Sequence, residues 1–262
     1  METVIGICIE NGIVEDNIKE KVVANLQSIS KVYNLKVYAQ QEILDLDCIV
    51  CDDPSQKMID DYKEGVIDFF IRGINDDLTF QSKFKKTFGY SRLMRLGFLR
   101  DAHDREFGIG PLSAGEGEGR ENRLSYIFKA VGFMKRINKT PKIAVMSRCR
   151  KGSRFESEQN EKSWVESDYI VFQLEKIGIE AENVGIELEK AVGKFDYILT
   201  VNGLVGNQVL RALAFLGNGS LIGGPAFALE DTEFRYCYED NSRNEIDYKH
   251  HIKAALLYSN KK

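Results

Sequence analysis

Short apolar runs rich in β-branched residues alternate along this chain with segments whose apolar residues recur at helical spacing. The runs predict strands, and in the first half they lie at residues 3–10, 35–39, 48–51 and 66–71. The first intervening segment predicts a helix from about Ile18 to Tyr33. A second helix is expected after Asp53, since an aspartate cap followed by Pro54 is typical of a helix start.

The second half of the chain shows the same alternation more regularly. Strands are predicted at residues 142–147, 195–201 and 220–229, and helices at about 122–137, 163–178, 204–217 and 245–258. Two further short strands are expected in RLMRLGFL and in residues 106–112. Strands separated by helices favour a largely parallel sheet that is covered on both faces. The sequence therefore predicts an α/β protein.

Length and composition narrow the class of protein. With 262 residues, one large α/β domain or two smaller ones are expected. No apolar stretch approaches the roughly 18 residues needed to span a bilayer, and the start lacks the basic region of a signal peptide. We therefore expect a cytoplasmic protein without a membrane partner. The net charge of −4 argues against nucleic acid, and the basic stretch 83–105 contains no recognised binding module.

Cys48 and Cys51 form a CxxC pair, the one arrangement in the sequence that suggests a metal or redox site. A zinc site normally needs two more soft ligands, and the chain contains only three histidines. The surrounding DCIVCDD also fits a buried strand. We favour the strand and predict no metal.

The basic loop 147–155, SRCRKGSRF, follows the predicted strand 142–147 directly. Ligands of open α/β sheets bind beyond the carboxyl ends of the strands. Arginine forks, hydroxyl groups and exposed main-chain N–H groups together suit a phosphate. The candidate phosphate ligands are Ser147, Arg148, Arg150, Lys151, Gly152 and Ser153. The alternative is a solvated basic loop.

A second candidate site is the junction 201–213, VNGLVGNQVLRAL, between a strand and a helix. Asn202 turns the chain, and Gly206 and Asn207 lie near the first helical turn, whose N–H groups attract anions. Arg211 is the one cation in an apolar helix, so it needs a carboxylate, a ligand or a route to solvent. The alternative is a tight connection without a ligand.

Two further positions could supply charged groups. Asp231 and Arg235 follow the strand 220–229, where they could act as a base and a cation in catalysis, although such a pair is more often a surface ion pair. Arg72 follows the strand 66–71 and could contact a ligand, with a structural ion pair as the equal alternative.

Residues 141–235 resemble the phosphate acetyl/butyryl transferase superfamily. PKIAVMSRCRKGS is similar to its strand, serine and basic loop, and DYILTVNGLVGNQVLRALAFLGNGSLIGGPAF is similar to its later block. A closer resemblance is to the methanogenesis marker 4 family, MtxX, named as subunit X of a methyltransferase system. That similarity rests on four blocks: DFFIRG (68–73), GPLSAGEG (110–117), SRCRKGSR and GNQVLRAL.

The resemblance implies a fold like that of isocitrate and isopropylmalate dehydrogenases, with two domains and a cleft between them. The expected first domain is 1–108 plus about 228–262, and the expected second is about 109–227. In the true acyltransferases the cleft binds coenzyme A and an acyl phosphate. A serine-arginine pair and a nearby aspartate serve catalysis there. Here ALEDTEFR has Glu233 near the expected serine, while Asp231 and Arg235 match after a shift of one residue.

Three functions follow as hypotheses. The first is a transferase that binds a phosphate-bearing small molecule, with coenzyme A as the possible cofactor. The second is a subunit of a methyl-transfer system in a methane-producing archaeon, with other methyltransferase subunits as partners. The third is a non-catalytic binding or assembly protein, which the absence of the serine favours. The superfamily also implies a possible homodimer.

Overall fold

The computed structural model describes residues 3–113, 115–231, 233 and 235–259. The chain folds into two compact units, of which the first ends at Leu93 and resumes at Gly223, and the second comprises Met94–Ile222. The sequence placed these crossings near residues 108 and 228. The first crossing falls earlier because the strands on either side of residue 101 pair with each other in the second unit. The expected cleft stays a prediction.

The described strands, in chain order, are β1 (Val4–Ile9), β2 (Asn34–Ala39), β3 (Cys48–Val50), β4 (Phe69–Ile74), β5 (Leu93–Arg95), β6 (Gly97–Arg100), β7 (Glu106–Gly110), β8 (Ile143–Met146), β9 (Ala181–Gly185), β10 (Tyr197–Leu199), β11 (Ser220–Gly223), β12 (Pro225–Ala228) and β13 (Tyr238–Glu239). The α-helices are α1 (Asp16–Ile29), α2 (Pro54–Lys63), α3 (Asp77–Phe88), α4 (Gly119–Arg136), α5 (Glu158–Lys176), α6 (Leu188–Ala191), α7 (Gly203–Arg211) and α8 (Lys249–Ser259). A short 3₁₀ turn occupies Lys151–Ser153, and a π-helical turn, Ala212–Leu216, extends α7.

The sheet of the first unit has the order β3-β2-β1-β4-β13-β12-β5 among the described residues, and its last strand, β5, begins at Leu93, where the chain passes into the second unit. The pairs β3/β2, β2/β1, β1/β4 and β4/β13 are parallel, and β13/β12 is antiparallel. Its central strands carry near-continuous apolar side chains because helices cover both faces. One apolar cluster centres on Ile7 and Val22, and the other on Phe70 and Phe84.

The sheet of the second unit has the order β11-β6-β7-β10-β8-β9 among the described residues. Strands β7, β10, β8 and β9 run parallel, and β6 is antiparallel to β7. Its core includes Ile109, Ala144 and Ile198 on the three central strands. Because β8 and β10 are parallel neighbours, their carboxyl ends lie at the same edge of the sheet. The predicted α/β class with mostly parallel sheets is confirmed.

Most predicted elements are present, and the exceptions have physical reasons. Asp53 caps α2 as expected, since its Oδ1 accepts a hydrogen bond from the N–H of Gln56 at 3.0 Å. The predicted strand 220–229 is instead two strands, β11 and β12, which belong to different sheets. Gly224 separates them, and its main chain lies too close to Asp240 O for a side chain. The amphipathic helix α3 was missed in the basic stretch, although Asp76 caps it.

In the part of the chain that the structure describes, no helix combines the length and the hydropathy needed to cross a lipid bilayer. Cys48 lies in β3 and Cys51 directly follows it, so the predicted strand is present, and the five cysteines are free thiols. The strand is not buried as predicted: both cysteines are half-buried and Val50 is exposed, because β3 is the edge strand of its sheet among the described residues.

Candidate functional site

A pocket of about 760 Å³ lies in the second unit, where the carboxyl ends of β8 and β10 meet the first turn of α7. Its volume falls in the range of about 300–1,000 Å³ that is typical of small-molecule sites. The lining residues are Glu118, Gly119, Arg123, Met146, Ser147, Arg148, Gln159, Lys162, Ser163, Glu166, Ile186, Val201, Asn202 and Val205. The position is the edge at which parallel sheets usually bind ligands.

The segment after β8 is held in place by hydrogen bonds of its main chain. Ser147 is buried, and its N–H donates to the carbonyl of Gly185 at 3.0 Å. The N–H of Arg148 donates to Oγ of Ser163 on α5 at 3.0 Å. These bonds fix the start of the basic loop beside α5, while the exposed side chain of Arg148 still lines the pocket.

The first turn of α7 also lines the pocket, through Asn202 and Val205. Asn202 is the helix cap, and its Oδ1 accepts a hydrogen bond from the N–H of Val205 at 3.0 Å. The N–H of Gly203 donates to the carbonyl of Glu116 at 2.9 Å. The positive end of the helix dipole is therefore directed at the pocket edge, where it favours a negatively charged group.

Arg123 of α4 is a buried cation on the pocket wall, with 2% of its surface exposed. Its Nε donates to the carbonyl of Thr200 at 3.2 Å, its Nη1 to Oγ of Ser167 at 3.1 Å, and its Nη2 to the carbonyl of Met146 at 2.6 Å. Among the described residues, none provides a carboxylate within salt-bridge distance of it. Burial lowers the pKa of Arg123 to about 10, and nearby Glu166 opposes that shift. The guanidinium is therefore still charged at neutral pH.

The pocket has charged and apolar walls. Arg123, Arg148 and Lys162 carry positive charge, while Glu118 and Glu166 carry negative charge. Apolar surface comes from residues such as Met146, Ile186, Val201 and Val205. The net charge of the lining residues is therefore +1, and Arg123, the charged residue that is buried, is a cation. Such a pocket suits an anionic molecule that also has an apolar or neutral part.

The structure brings three of the predicted ligand residues together in this pocket: Ser147, Arg148 and Asn202. The rest of the basic loop does not line it. Exposed Arg150 lies 3.8 Å from half-buried Glu187 in an ion pair, and Lys151, Gly152 and Ser153 form the 3₁₀ turn.

The other residues predicted on α7 have packing roles. Helix α7 packs closely against the segment that follows β7, and a Cβ at Gly206 would overlap the carbonyl of Pro111. This position therefore needs glycine. Asn207 Nδ2 donates to the carbonyl of Leu112 at 3.0 Å. Arg211 is exposed, and its guanidinium lies 5.2 Å from the ring centre of Phe215. Of the three alternatives expected for Arg211, which were a carboxylate, a ligand and a route to solvent, the structure shows the route to solvent.

The three remaining candidates belong to the first unit. Arg72 is buried in β4 and donates to Asp240 Oδ1, to the carbonyl of Asn241 and, at 2.9 Å, to Asn75 Oδ1. This network is the structural ion pairing that the sequence left as the alternative to ligand binding.

Asp231 and Arg235 bond to each other in the loop after β12. Asp231 Oδ2 accepts from the N–H and, at 3.0 Å, from Nε of Arg235, and Oδ1 accepts from the N–H of Glu233 at 2.9 Å. Burial by itself would raise the pKa of Asp231, but these donors lower it overall.

Sequence reasoning missed Arg123, Lys162 and Ser163. Arg123 does leave a signal, since it occupies the apolar stripe of α4 together with Tyr126, Ile127 and Ala130. A charged residue at a core position of a helix indicates a buried partner or a site.

Comparison with known proteins defines the class of protein first. Two solved structures share the fold: a branched-chain phosphotransacylase from Enterococcus faecalis V583, with a TM-score of 0.65 and 16% identity over 100% of this chain and 99% of that one, and a phosphotransacetylase from Streptococcus pyogenes, with 0.61 and 13% over 98% and 93%. At such low identity the likeness concerns the fold alone. The chain thus has a phosphotransacetylase-like fold.

Curated relatives then narrow the resemblance. The chain is 28% identical over 214 residues to "Putative methyltransferase mtx subunit X" of Methanosarcina mazei, covering 82% of this chain and 74% of that protein. It is 26% identical over 215 residues to the protein of the same name from Methanosarcina acetivorans, with the same coverage. No family model matches the chain. The similarity to mtx subunit X proteins expected from the sequence is confirmed.

Proposed function

We propose that the chain is a phosphotransacetylase-like transferase homologue that binds a phosphate-bearing small molecule in the pocket beside Arg123. The observation that carries this proposal is the burial of Arg123 without a carboxylate partner among the described residues. Three neutral acceptors stabilise a guanidinium only in part, because burying a charge is costly unless an opposite charge compensates it. Nearby Glu166 compensates the charge in part, and a bound anion would add to that compensation.

The number of positive groups around the pocket favours a phosphate over a simple carboxylate. The pocket offers Arg123 in its wall, exposed Arg148 and Lys162, and the first turn of α7. The three cations lie on different segments of the chain and can give several donors to the oxygens of one phosphate group. The first turn of α7 adds the field of its dipole, since the N–H groups of Gly203 and Val205 are already bonded within the protein. Acyl phosphates and coenzyme A are the ligands to test, because the solved structures with this fold include a phosphotransacylase and a phosphotransacetylase.

The names of the relatives suggest partners and a cellular location for this chain. Subunit X of a methyltransferase implies other subunits, and we propose these as the partners of this chain, in the cytoplasm of a methane-producing archaeon.

Isothermal titration calorimetry tests whether a phosphate-bearing ligand binds. The probes are inorganic phosphate, acetyl phosphate, coenzyme A and acetyl-coenzyme A, each titrated into the wild type and into Arg148→Ala and Lys162→Ala. We expect at least one probe to bind and each substitution to weaken it about tenfold, since each removes a charge-assisted hydrogen bond.

Arg150→Ala is the matched control, because Arg150 belongs to the same loop but does not line the pocket. It should bind like the wild type. Binding of none of the probes would refute the proposal, and so would an equal loss in Arg148→Ala and Arg150→Ala.

The alternative is a non-catalytic ligand-binding or assembly subunit of a methyltransferase system. One observation favours it: Asp231, the candidate base, has a lowered pKa and already accepts hydrogen bonds from Arg235. A carboxylate with a lowered pKa is a weak base. The assay is the release of the coenzyme A thiol from acetyl-coenzyme A and phosphate, which forms acetyl phosphate. Turnover that Asp231→Asn abolishes would support the transferase, and binding without turnover would support the alternative.

A further inference from the structure

The pocket beside Arg123 contains two acidic side chains as well as its cations. Glu166 of α5 is half-buried in the pocket wall, and Glu118 lies exposed at the start of α4. In the part of the chain that the structure describes, no N–H or O–H group donates to either carboxylate, and no cation lies within salt-bridge distance of them. A half-buried carboxylate has lost some of its hydration, so a donor supplied by a ligand would stabilise Glu166.

Two of the three pocket cations are likewise available to a ligand. Lys162 precedes Glu166 by one helical turn on α5, a spacing at which opposite charges can pair. Neither the ammonium group of Lys162 nor the guanidinium of Arg148 forms an ion pair with a carboxylate of a described residue. The pocket therefore offers both donors and acceptors that the described residues leave open.

The charges of the pocket do not match those of a phosphate group alone. The lining residues have a net charge of +1, whereas a phosphate monoester carries about two negative charges at neutral pH. Its binding would leave an excess of about one negative charge, and the two carboxylates would repel its oxygens. An ammonium group on the same ligand removes the excess, and it donates to carboxylates that can only accept. A hydroxyl group also donates, but it leaves the excess charge in place.

We propose that the pocket selects a phosphate ester that also carries a primary amine, with the phosphate group among the three cations and the ammonium group bound to Glu166. This inference rests on the proposed function, because it assigns the phosphate to the same pocket. It adds a substrate class, since such a ligand should bind more tightly than a phosphate ester of the same size without the amine. Glu166 is then a specificity residue, which attracts one class of ligand and repels another.

Titration calorimetry with aminoethyl phosphate, ethyl phosphate and hydroxyethyl phosphate tests this selection, because the three esters differ only in the group at the end of the same short chain. We expect aminoethyl phosphate to bind about tenfold more tightly than either of the others, since it adds a charge-assisted hydrogen bond. Equal binding of aminoethyl and ethyl phosphate would overturn the inference and leave the proposed function standing. Hydroxyethyl phosphate that binds as tightly as aminoethyl phosphate would overturn the choice of an amine. Binding of none of the three would count against the phosphate site itself.

Glu166→Gln should shift the affinities of two of these probes in opposite directions. Loss of the negative charge weakens the binding of aminoethyl phosphate and strengthens that of ethyl phosphate, so the preference should fall from about tenfold to about twofold or less. Glu161→Gln is the matched control, because Glu161 is an exposed glutamate of the same helix that does not line the pocket. It should keep the preference of the wild type. A preference that Glu166→Gln leaves unchanged, or that both variants lose equally, would overturn the role of Glu166.

Discussion

The guanidinium of Arg123 donates a hydrogen bond to the main-chain oxygen of Met146 over 2.6 Å. Its Nε donates to the main-chain oxygen of Thr200 over 3.2 Å. Met146 ends β8 and Thr200 directly follows β10, so one side chain of α4 joins the ends of two neighbouring strands. The pocket wall thus depends on the same cation that we propose as the centre of anion binding.

Replacing Arg123 with methionine should lower both stability and ligand binding. Three hydrogen bonds from a charged donor are lost, but the cost of burying that charge is also removed, so we expect a net loss of about 1–3 kcal/mol in the free energy of unfolding. Urea denaturation with and without phosphate measures both effects. A ligand at about 100 times its Kd adds about 2.7 kcal/mol to the wild type, and Arg123→Met should lose this gain.

Arg120→Met is the control on the same helix, because Arg120 is exposed and pairs with the exposed Glu121. It should change stability by no more than about 0.5 kcal/mol. If the two variants behaved alike, or if Arg123→Met kept the full gain from phosphate, the role assigned to Arg123 would be wrong.

The sequence predicted the edge of the sheet that holds the pocket, but not its central cation. Ser147, Arg148 and Asn202 were visible because polar residues directly follow recognisable buried strands. Arg123 was not singled out because its partners include the carbonyls of Met146 and Thr200, which every residue possesses and which leave no mark in a sequence. Contacts between distant main-chain segments become visible only in the folded chain.

The difference between local sequence patterns and contacts between distant segments also explains the errors in the fold prediction. The strand 220–229 looked continuous because both halves are apolar, and periodicity does not show that the chain changes sheets at Gly224. Helix α3 is hard to predict because lysines separate its apolar residues, although Phe80 and Phe84 follow helical spacing and are buried. Long periodic segments such as α1 and α4 were predicted because tertiary contacts there agree with the local pattern.

Two glycines that the sequence proposed as ligand residues should respond differently to alanine. A Cβ at Gly206 would overlap the carbonyl of Pro111 and lie 2.9 Å from Oγ1 of Thr200, whereas a Cβ at Gly152 would meet open space. We expect Gly206→Ala to lower the free energy of unfolding by about 1–3 kcal/mol, and Gly152→Ala to change it by less than about 0.5 kcal/mol. Urea denaturation of both variants measures this. Unchanged stability in Gly206→Ala together with lost phosphate binding would instead indicate that Gly206 contacts a ligand.

Asn202 combines helix capping with a position in the pocket, and two substitutions separate these roles. Asn202→Ala removes the acceptor for the N–H of Val205, so it should cost about 1 kcal/mol of stability and leave phosphate binding nearly intact. Asn202→Asp keeps the cap and suits the helix dipole, but it adds negative charge beside the proposed phosphate. It should keep its stability and bind phosphate about tenfold more weakly. Tight phosphate binding by Asn202→Asp would place the anion elsewhere.

The first unit contains a buried charge cluster. His251 of α8 has Nδ1 2.9 Å from Oε1 of Glu239 and Nε2 2.9 Å from Oε1 of Glu245. All three side chains are buried, and the hydroxyl of Tyr236 lies 3.4 Å from Oε2 of Glu239. Burial by itself would lower the pKa of His251, but the two carboxylates raise it to about 10. The imidazolium therefore holds α8 to β13 at neutral pH.

The cluster should make the stability of the protein fall as the medium becomes alkaline. The pKa of His251 is higher in the folded chain, about 10, than its ordinary value of 6.5. The stabilisation is therefore complete below pH 6.5 and is lost as the pH rises towards 10. Urea denaturation across this interval measures the decline in the wild type. Glu245→Gln keeps a polar partner but removes one negative charge, so the pKa of His251 in the folded chain should fall. The decline should then be smaller and end at lower pH than in the wild type. A pH dependence identical in Glu245→Gln and the wild type would show that another group causes it.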